Sequence, residues 1–198
     1  MSNSGVFDVN DIRYLMDYQQ WPTPGELQLI QTQVYTADVA TIDFTSIQEN
    51  IYDVHFLTLN DFQTASDNKQ IFQIQLYESG VLETASVYQA AFQRARFSGN
   101  SFTQYTTTGL DHLYINQNNG NATNEKACGY VYFYNLGDKT KYSFTTSHTI
   151  VTQNDGVQNM AFGSQILPQA SIVDGIRLYP SAGNYSSFKA SLYGIRFA

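Results

Sequence analysis

Short segments in which apolar and polar residues alternate are the feature of this sequence that most limits its fold. They recur from Leu27 to the end of the chain, and clusters of Gly, Pro, Asn, Asp or Ser interrupt them. Alternation with a period of two places successive side chains on opposite faces of a strand. About ten such strands with turn residues between them are typical of an antiparallel sandwich. The sequence therefore predicts an all-β fold, specifically a jelly-roll-like antiparallel β-sandwich.

The same pattern locates the individual strands. Residues 87–96 fit a strand or a short helix, and we favour the strand. Gly137 and Asp138 between two strand-like runs predict a hairpin. The other predicted strands are 27–35, 41–45, 52–59, 71–77, 113–115, 129–136, 141–149, 176–179 and 188–197, with polar loops at 61–70 and 116–126 and a looser segment at 160–167.

The last stretch of the chain, residues 173–198, has the pattern of a closing hairpin, with two strand-like runs around a Gly- and Asn-containing loop. Apolar residues take every second position from Phe188 to Leu192. Ile195 and Phe197 take the opposite parity. An extra residue at Gly194 would return the apolar set to the core face, so we predict a β-bulge there.

The first 25 residues differ from the rest of the chain. Apolar side chains in residues 9–18 are spaced for a short amphipathic helix, which the WPTPG run at 21–25 would end. A helix this short is not stable alone, so we expect it to dock on its own domain or on another subunit. We therefore divide the chain into an N-terminal docking segment, residues 1–25, and a β-sandwich body, residues 26–198. The candidate docking or oligomer contacts are Ile12, Tyr14, Leu15, Met16, Tyr18 and Trp21.

Composition limits the partners. The 198 residues include 10 Lys and Arg against 17 Asp and Glu, which gives a net charge of −7. A nucleic-acid-binding surface is normally basic, so we expect no direct contact with nucleic acid. No apolar run is long enough to cross a membrane and no signal peptide is recognisable, so we expect neither membrane insertion nor signal-dependent secretion. The one cysteine, Cys128, excludes an intrachain disulfide and is expected to be a small buried hydrophobic residue.

No motif in the sequence indicates catalysis. His55, His112 and His148 lie in separate segments without the spacing of a metal site, and His55 is expected to be a hydrogen-bonded interior or half-buried side chain. Asp111 and His112 could form an acid–base pair, but neighbouring residues of a strand point to opposite faces, so we do not expect them to act together. Loop carboxylates would suit calcium, although no EF-hand-like loop occurs. We predict no catalytic residues, no metal site and no cofactor.

Three tyrosines, Tyr130, Tyr132 and Tyr134, occupy alternate positions of one predicted strand and would share an exposed face. Tyrosine combines apolar area with a polar tip, which suits stacking on sugars or contact between subunits. The alternative is ordinary aromatic pairing between neighbouring strands of a sheet, which we favour.

Five stretches carry a further signal: residues 25–32 (GELQLIQT), 40–45 (ATIDFT), 51–56 (IYDVHF), 173–184 (VDGIRLYPSAGN) and 191–195 (SLYGI). Together they resemble a family of virion proteins from tailed bacteriophages. The closing motif is the most specific part of the resemblance, and the middle third of the chain matches least. Members of the family carry labels of tail-fibre, head-fibre and capsid-decoration type.

This resemblance implies a structural virion protein with a β-sandwich body rather than an enzyme. Our leading interpretation is a capsid decoration or cement protein that docks through residues 1–25 onto the major capsid protein or another virion protein. We expect a ring-closed homo-oligomer, with a trimer as the preferred state. The alternative is a tail-fibre or receptor-binding module that recognises host surface glycans through the loops at 60–69 and 116–126. Both interpretations place the protein in the virion after synthesis in the host cytoplasm.

Overall fold

Thirteen strands in two antiparallel sheets make up the part of the chain that the computed structural model describes, which is residues 9–10, 13–14, 27–67, 72–99, 101–116 and 118–196. The strands are β1 Leu27–Tyr35, β2 Ile42–Phe44, β3 Val54–Thr64, β4 Phe72–Glu78, β5 Val81–Leu82, β6 Tyr88–Arg96, β7 Phe102–Leu110, β8 Leu113–Asn116, β9 Ala127–Tyr134, β10 Tyr142–Thr152, β11 Gln158–Ala170, β12 Val173–Tyr179 and β13 Tyr185–Ile195.

The larger sheet has eight strands in the order β1-β13-β3-β9-β10-β11-β6-β7, and the smaller has the order β2-β12-β4-β5, with β8 also paired to β4. Buried side chains from both sheets form one core cluster, in which Leu57 and Leu192 of the larger sheet accompany Ile74 and Ile176 of the smaller. The predicted all-β sandwich of antiparallel sheets is confirmed at this level.

The predicted hairpin around Gly137 and Asp138 is also confirmed, because β9 and β10 pair directly. Residues 88–96 form a strand, as favoured over the helix. The alternation along β10 is regular, yet its inward positions carry hydroxyl groups, including the buried Ser143, Thr145 and Thr149. Thr149 Oγ1 accepts a hydrogen bond from Asn116 Nδ2 at 2.9 Å. The interior therefore has a polar region beside its apolar core.

Two segments predicted as loops or loose structure belong to strands. β3 continues through residues 61–64, because Phe62 is fully buried and packs against Phe72 and Phe188, with ring centroids 5.0 and 5.3 Å away. Residues 160–167 lie inside β11, a 13-residue strand that pairs with both β10 and β6. In both segments, packing on the core outweighs the local turn-forming residues.

The predicted closing hairpin is wrong. β12 lies in the smaller sheet between β2 and β4, whereas β13 lies in the larger sheet between β1 and β3. Each strand has its own apolar face, and the two faces cover the core from opposite sides. Leu178 of β12 and Phe188 of β13 are both buried in that shared core. The loop between the strands therefore crosses from one sheet to the other instead of reversing within one.

The bulge predicted at Gly194 is also wrong. Gly194 pairs with Gln28 on one side and His55 on the other without a register shift, and the nearest irregularity lies in β1, between Leu29 and Gln31. A Cβ at Gly194 would overlap the ring of Tyr52, well inside the 3.0 Å that real Cβ contacts essentially never reach. Gly194 is therefore a close-approach position under an aromatic ring, while Ile195 belongs to the outer face.

Most of the predicted docking segment cannot be compared with the structure. Ile12, Leu15, Met16, Tyr18 and Trp21 lie outside the described residues. The residues described in this segment are helical, and the Tyr14 side chain is exposed. The docking role of residues 1–25 stays a prediction. Among the described residues, no helix is long and apolar enough to cross a membrane.

Candidate functional site

The outer face of the eight-stranded sheet is the most distinctive surface of the molecule. Alternate residues of β9 point in opposite directions, so Val131 and Phe133 are fully buried while the three tyrosines face outward. The rings of Tyr130 and Tyr132 are 5.8 Å apart, and those of Tyr132 and Tyr134 are 6.4 Å apart. The structure thus places the three tyrosines named from the sequence in a single row.

Rings from neighbouring strands extend this row across the sheet. Phe56 of β3 stacks on Tyr132 at 4.5 Å, and Tyr193 of β13 lies 6.1 Å from Phe56. On the other side, His148 of β10 lies 6.0 Å from Tyr130 and 6.2 Å from Phe162 of β11, which in turn lies 5.9 Å from Phe102 of β7. We call this surface the aromatic band; its members are Phe56, Phe102, Tyr130, Tyr132, Tyr134, His148, Phe162 and Tyr193.

Cross-strand aromatic pairing of the three tyrosines is confirmed, and their contact with sugars or other subunits stays a prediction. They do pair with aromatic side chains on neighbouring strands, as the favoured interpretation expects. Their outer surface is nevertheless not covered by the described chain, since Tyr130 is 39% exposed and Phe162 is 39% exposed. Cross-strand pairing fixes the rings in place, and fixed rings lose less side-chain entropy when a partner covers them.

The three central strands of this face contain no formal charge. β9, β10 and β11 include no Asp, Glu, Lys or Arg, in a chain whose net charge is −7. Besides the rings, their outward side chains are uncharged and include Thr146, Ser164 and Ile150. Uncharged surface is much cheaper to remove from water than charged surface. This face is therefore suited to cover by a partner or by a neutral ligand.

Two shallow grooves run along the same face. One, of about 480 Å³, is lined by the three tyrosines together with His148 and Phe162. The other, of about 500 Å³, lies between Phe144 and the β6–β7 strands and includes Gln89 and Thr106. Ser164 lines both grooves, so they adjoin.

Sequence reasoning missed most of the aromatic band. The predicted hairpin could have supplied His148, because its register places His148 opposite Tyr130. Phe56 and Tyr193 reach the band from strands distant in sequence, and no local signal identifies them as its neighbours.

The two loops considered for glycan binding lie side by side at one end of the sandwich. The backbone N–H of Asn121 donates to Asp67 Oδ1 at 2.9 Å, and Lys126 Nζ donates to Gln63 Oε1 at 2.8 Å. Gln63 is itself buried within the extended β3. Many polar groups of this end therefore hold the loops to each other. Residues 68–69 and 117 lie outside the described residues.

An ion-pair cluster lies on the outer face of the smaller sheet. Arg177 of β12 contacts the Asp43 carboxylate of β2 with both Nε and Nη2, at 2.7 and 3.1 Å, and Tyr77 OH donates to Asp43 Oδ1 at 2.8 Å. Burial acts to raise the pKa of Asp43, but the bonds from Arg177 and Tyr77 outweigh it and hold that pKa below its usual value. These contacts join three strands, which indicates a structural role.

Asp111 and His112 do contact each other, contrary to the expectation. They lie in the turn between β7 and β8 rather than within a strand, and Asp111 Oδ1 is 2.6 Å from His112 Nδ1. The amide Nε2 of Gln73 lies 2.9 Å from His112 Nε2 and can only donate, so His112 carries its proton on Nδ1. Both ring nitrogens of His112 therefore have polar partners within hydrogen-bond distance.

His55 is an interior side chain, as expected. It is fully buried, and Nε2 lies 2.8 Å from the carbonyl oxygen of Ile47, which requires a proton on that nitrogen. Burial lowers the pKa of His55, although the bond to Ile47 partly opposes this.

Cys128 is partly exposed at the outer face, so the expectation of a buried residue is wrong. Within the described ranges, no group of three or more His, Cys, Asp or Glu could hold a metal ion.

Comparison with known proteins gave no match: no family model, curated protein or solved structure is similar to this chain.

Proposed function

We propose that this chain is a structural, non-catalytic component of a tailed-phage virion, a capsid decoration or cement protein whose aromatic band is buried against neighbouring subunits. The observation that carries the proposal is the uncharged, ring-covered face formed by β9, β10 and β11. The five sequence stretches that resemble phage virion proteins support the same assignment. Residues 1–25 dock the body onto the major capsid protein or another virion protein, and the assembled form is a trimer.

Within the all-β sandwich, we propose a jelly-roll-like arrangement of the strands, and the strand connections support it. β1, β3 and β13 belong to the larger sheet, while β2, β4 and β12 belong to the smaller. The chain thus crosses between the sheets repeatedly, as jelly-roll chains do, rather than completing one sheet before starting the next.

The free energy available from this face is sufficient for a cement function when many copies act together. Phe162 is 39% exposed, so covering a side chain of roughly 200 Å² removes about 80 Å² from water. At ~25 cal/mol/Å² this contributes about 2 kcal/mol for one ring. Several rings on each subunit, repeated over a shell, add up to strong attachment even though each contact is modest.

The location is tested by separating purified virions into heads and tails and measuring this protein in each fraction by mass spectrometry. A decoration protein is expected in the heads at a stoichiometry that matches shell symmetry. Recovery only in tails would refute the decoration assignment.

Deleting residues 1–24 should abolish incorporation into particles while far-UV circular dichroism still shows a folded β-sandwich. A truncated protein that still decorates particles would refute the docking role of this segment.

The role of the aromatic band is tested by Phe162→Ser. Its matched control is Phe97→Ser, which removes another exposed phenylalanine from the turn after β6, outside the band. The band variant is expected to bind undecorated shells about tenfold or more weakly, since it loses up to about 2 kcal/mol of burial, and the control should bind as the unaltered protein does. Equal binding by all three proteins would remove the band from the interface.

A second candidate is a tail-fibre or receptor-binding module that recognises host surface glycans. The specific observation in its favour is that the loops around Asp67 and Asn121 are held together at one end of the sandwich. Binding of the purified protein to host cells, lost on addition of the host's surface polysaccharide, together with its absence from isolated heads, would favour this function over decoration.

A further inference from the structure

Within the described residues, the eight-stranded sheet ends in two edge strands, β1 and β7. Among the described residues, β1 pairs only with β13, and β7 pairs only with β6. An edge strand presents unpaired backbone N–H and C=O groups to its surroundings, which another strand can pair with. Natural sheets usually block such edges with short strands, charged residues, proline or bulges.

Neither edge of this sheet has the usual protection along its length. β1 (LQLIQTQVY) and β7 (FTQYTTTGL) have nine residues each, and neither contains Asp, Glu, Lys, Arg or Pro. Each strand is irregular at one place near an end. The pairing of β1 shifts register between Leu29 and Gln31, and Gly109 of β7 has a positive φ. The rest of each strand is regular. In the smaller sheet, by contrast, β2 has three residues and β5 has two.

Both edge strands also carry exposed apolar side chains. Leu27, Leu29, Val34 and Tyr35 are all exposed, and on the other edge Phe102 of β7 is exposed. Apolar side chains exposed on an edge strand favour association with another strand. Pairing with a neighbouring strand would cover these side chains and satisfy the open backbone groups in one contact.

The directions of the two edges fit each other. All neighbouring strands of the larger sheet are antiparallel, and their number, eight, is even, so β1 and β7 run in opposite directions. A second copy placed beside the first therefore continues the antiparallel alternation. The outer face is continuous across such a junction, since Phe102 of β7 is part of the aromatic band and Leu29 of β1 lies opposite its member Tyr193.

We propose that copies of this chain associate edge to edge, with β7 of one protomer paired antiparallel to β1 of the next. The partner is a second copy of the chain, because the two edges match in length, in lack of charge and in direction. This contact joins different surfaces of the two protomers, so it produces a closed ring where the rotation allows and a filament where it does not. The inference holds wherever in the virion, or outside one, the protein acts.

Lysine on an edge strand tests the contact in the full chain, because a charged side chain there opposes further pairing. The edge variants are Val34→Lys in β1 and Thr106→Lys in β7. Their controls are Val81→Lys in the two-residue β5 and Thr84→Lys in the segment after it, which place the same changes at exposed positions outside the larger sheet. Sedimentation equilibrium gives the dissociation constant of the assembly, and circular dichroism checks folding.

Each edge variant is expected to raise that dissociation constant by up to about fivefold, the range typical of one cross-strand pair, while the controls leave it unchanged. An unaltered chain that stays monomeric at its highest soluble concentration would overturn the proposal, and so would folded edge variants that associate as tightly as the unaltered chain.

Cross-linking tests which edges meet. In a Cys128→Ser background, protomers with Val34→Cys are mixed with protomers carrying Gln104→Cys, Thr106→Cys or Thr108→Cys, and disulfide-linked dimers are resolved by non-reducing electrophoresis. Dimers are expected in at least one mixture and in no single-variant sample. Dimers formed by the β7 variants alone would show symmetric β7–β7 pairing instead and would overturn the β7–β1 contact.

Discussion

Replacing Gly194 by alanine tests the packing that explains why glycine occupies this position in a central strand. The change adds one methyl group where the Tyr52 ring already lies. Tyr52 cannot simply move away, because its hydroxyl donates to Gln28 Oε1 at 2.7 Å and its ring meets His55 edge to face at 6.1 Å.

The expected loss of stability follows from these contacts. Overpacking a well-packed site by one methyl group costs about 1–3 kcal/mol. Displacing the ring would also weaken the bond from Tyr52 to Gln28, at about 1 kcal/mol. Alanine in place of a strand glycine returns roughly 0.5–1 kcal/mol by restricting the unfolded chain. The net loss for Gly194→Ala is about 1–3.5 kcal/mol, which lowers Tm by roughly 2–14 °C for a chain of this size.

The assay is urea denaturation followed by far-UV circular dichroism, with Tm from calorimetry. Gly99→Ala is the control, since a Cβ there meets only the Arg96 carbonyl oxygen at 3.4 Å. In a Tyr52→Ala background the cost of Gly194→Ala should fall below about 0.5 kcal/mol, because the double mutant removes the overlap. If the two changes are additive, the ring contact does not explain the glycine.

Three further predictions concern the core and two titrating groups. Phe62→Ala should reduce the free energy of unfolding by about 3–5 kcal/mol, measured by urea denaturation, because the ring is fully buried against other aromatic rings; a loss under about 1 kcal/mol would mean that residues 61–64 are not part of the core. The pKa of Asp43 is lower in the folded protein than in the unfolded chain, where it is about 4, so the ionised carboxylate stabilises the fold above that pH and this stabilisation is lost as the pH falls through the folded pKa. Asp43→Asn should therefore make Tm depend less steeply on pH in acid. An unchanged dependence would contradict the pairing with Arg177. The pKa of His55 is lower in the folded protein than in the unfolded chain, where it is about 6.5. Acid therefore protonates the unfolded chain first and favours unfolding. Tm should drop from pH 7 to pH 5, and His55→Gln should reduce that drop.

The alternation of apolar and polar residues was enough to locate most strands. It did not give their ends where contacts in the core extend a strand. Alternation located β1 at its observed bounds and identified residues 88–96 as a strand. It failed at residues 61–64 and 160–167, where turn-forming and small residues were outweighed by contacts such as that of Phe62 with Tyr185 at 5.2 Å. Such contacts join segments more than a hundred residues apart, so no window of sequence contains them.

The candidate site shows the same division. The row of Tyr130, Tyr132 and Tyr134 follows directly from period-two spacing, and the lack of charge in the strands is visible in the letters. The rest of the aromatic band required the order and register of the seven strands from β13 to β7. For example, Tyr193, Phe56 and Tyr132 become neighbours only when β13, β3 and β9 are adjacent. Asp111 and His112 were misjudged because a turn, not a strand, sets their directions.

The sequence by itself determined that this chain forms strands, which of their side chains share a face, and that its central strands carry no charge, since these properties depend only on residue type and period. The tertiary structure decided which strands pair, that the last two belong to different sheets, that Gly194 lies beneath the Tyr52 ring, and that two uncharged strands are left at the edges of the larger sheet. The physical reason is that the residue order within a strand sets which side chains share a face. Its pairing partners depend instead on how all the strands together bury their apolar side chains in the core.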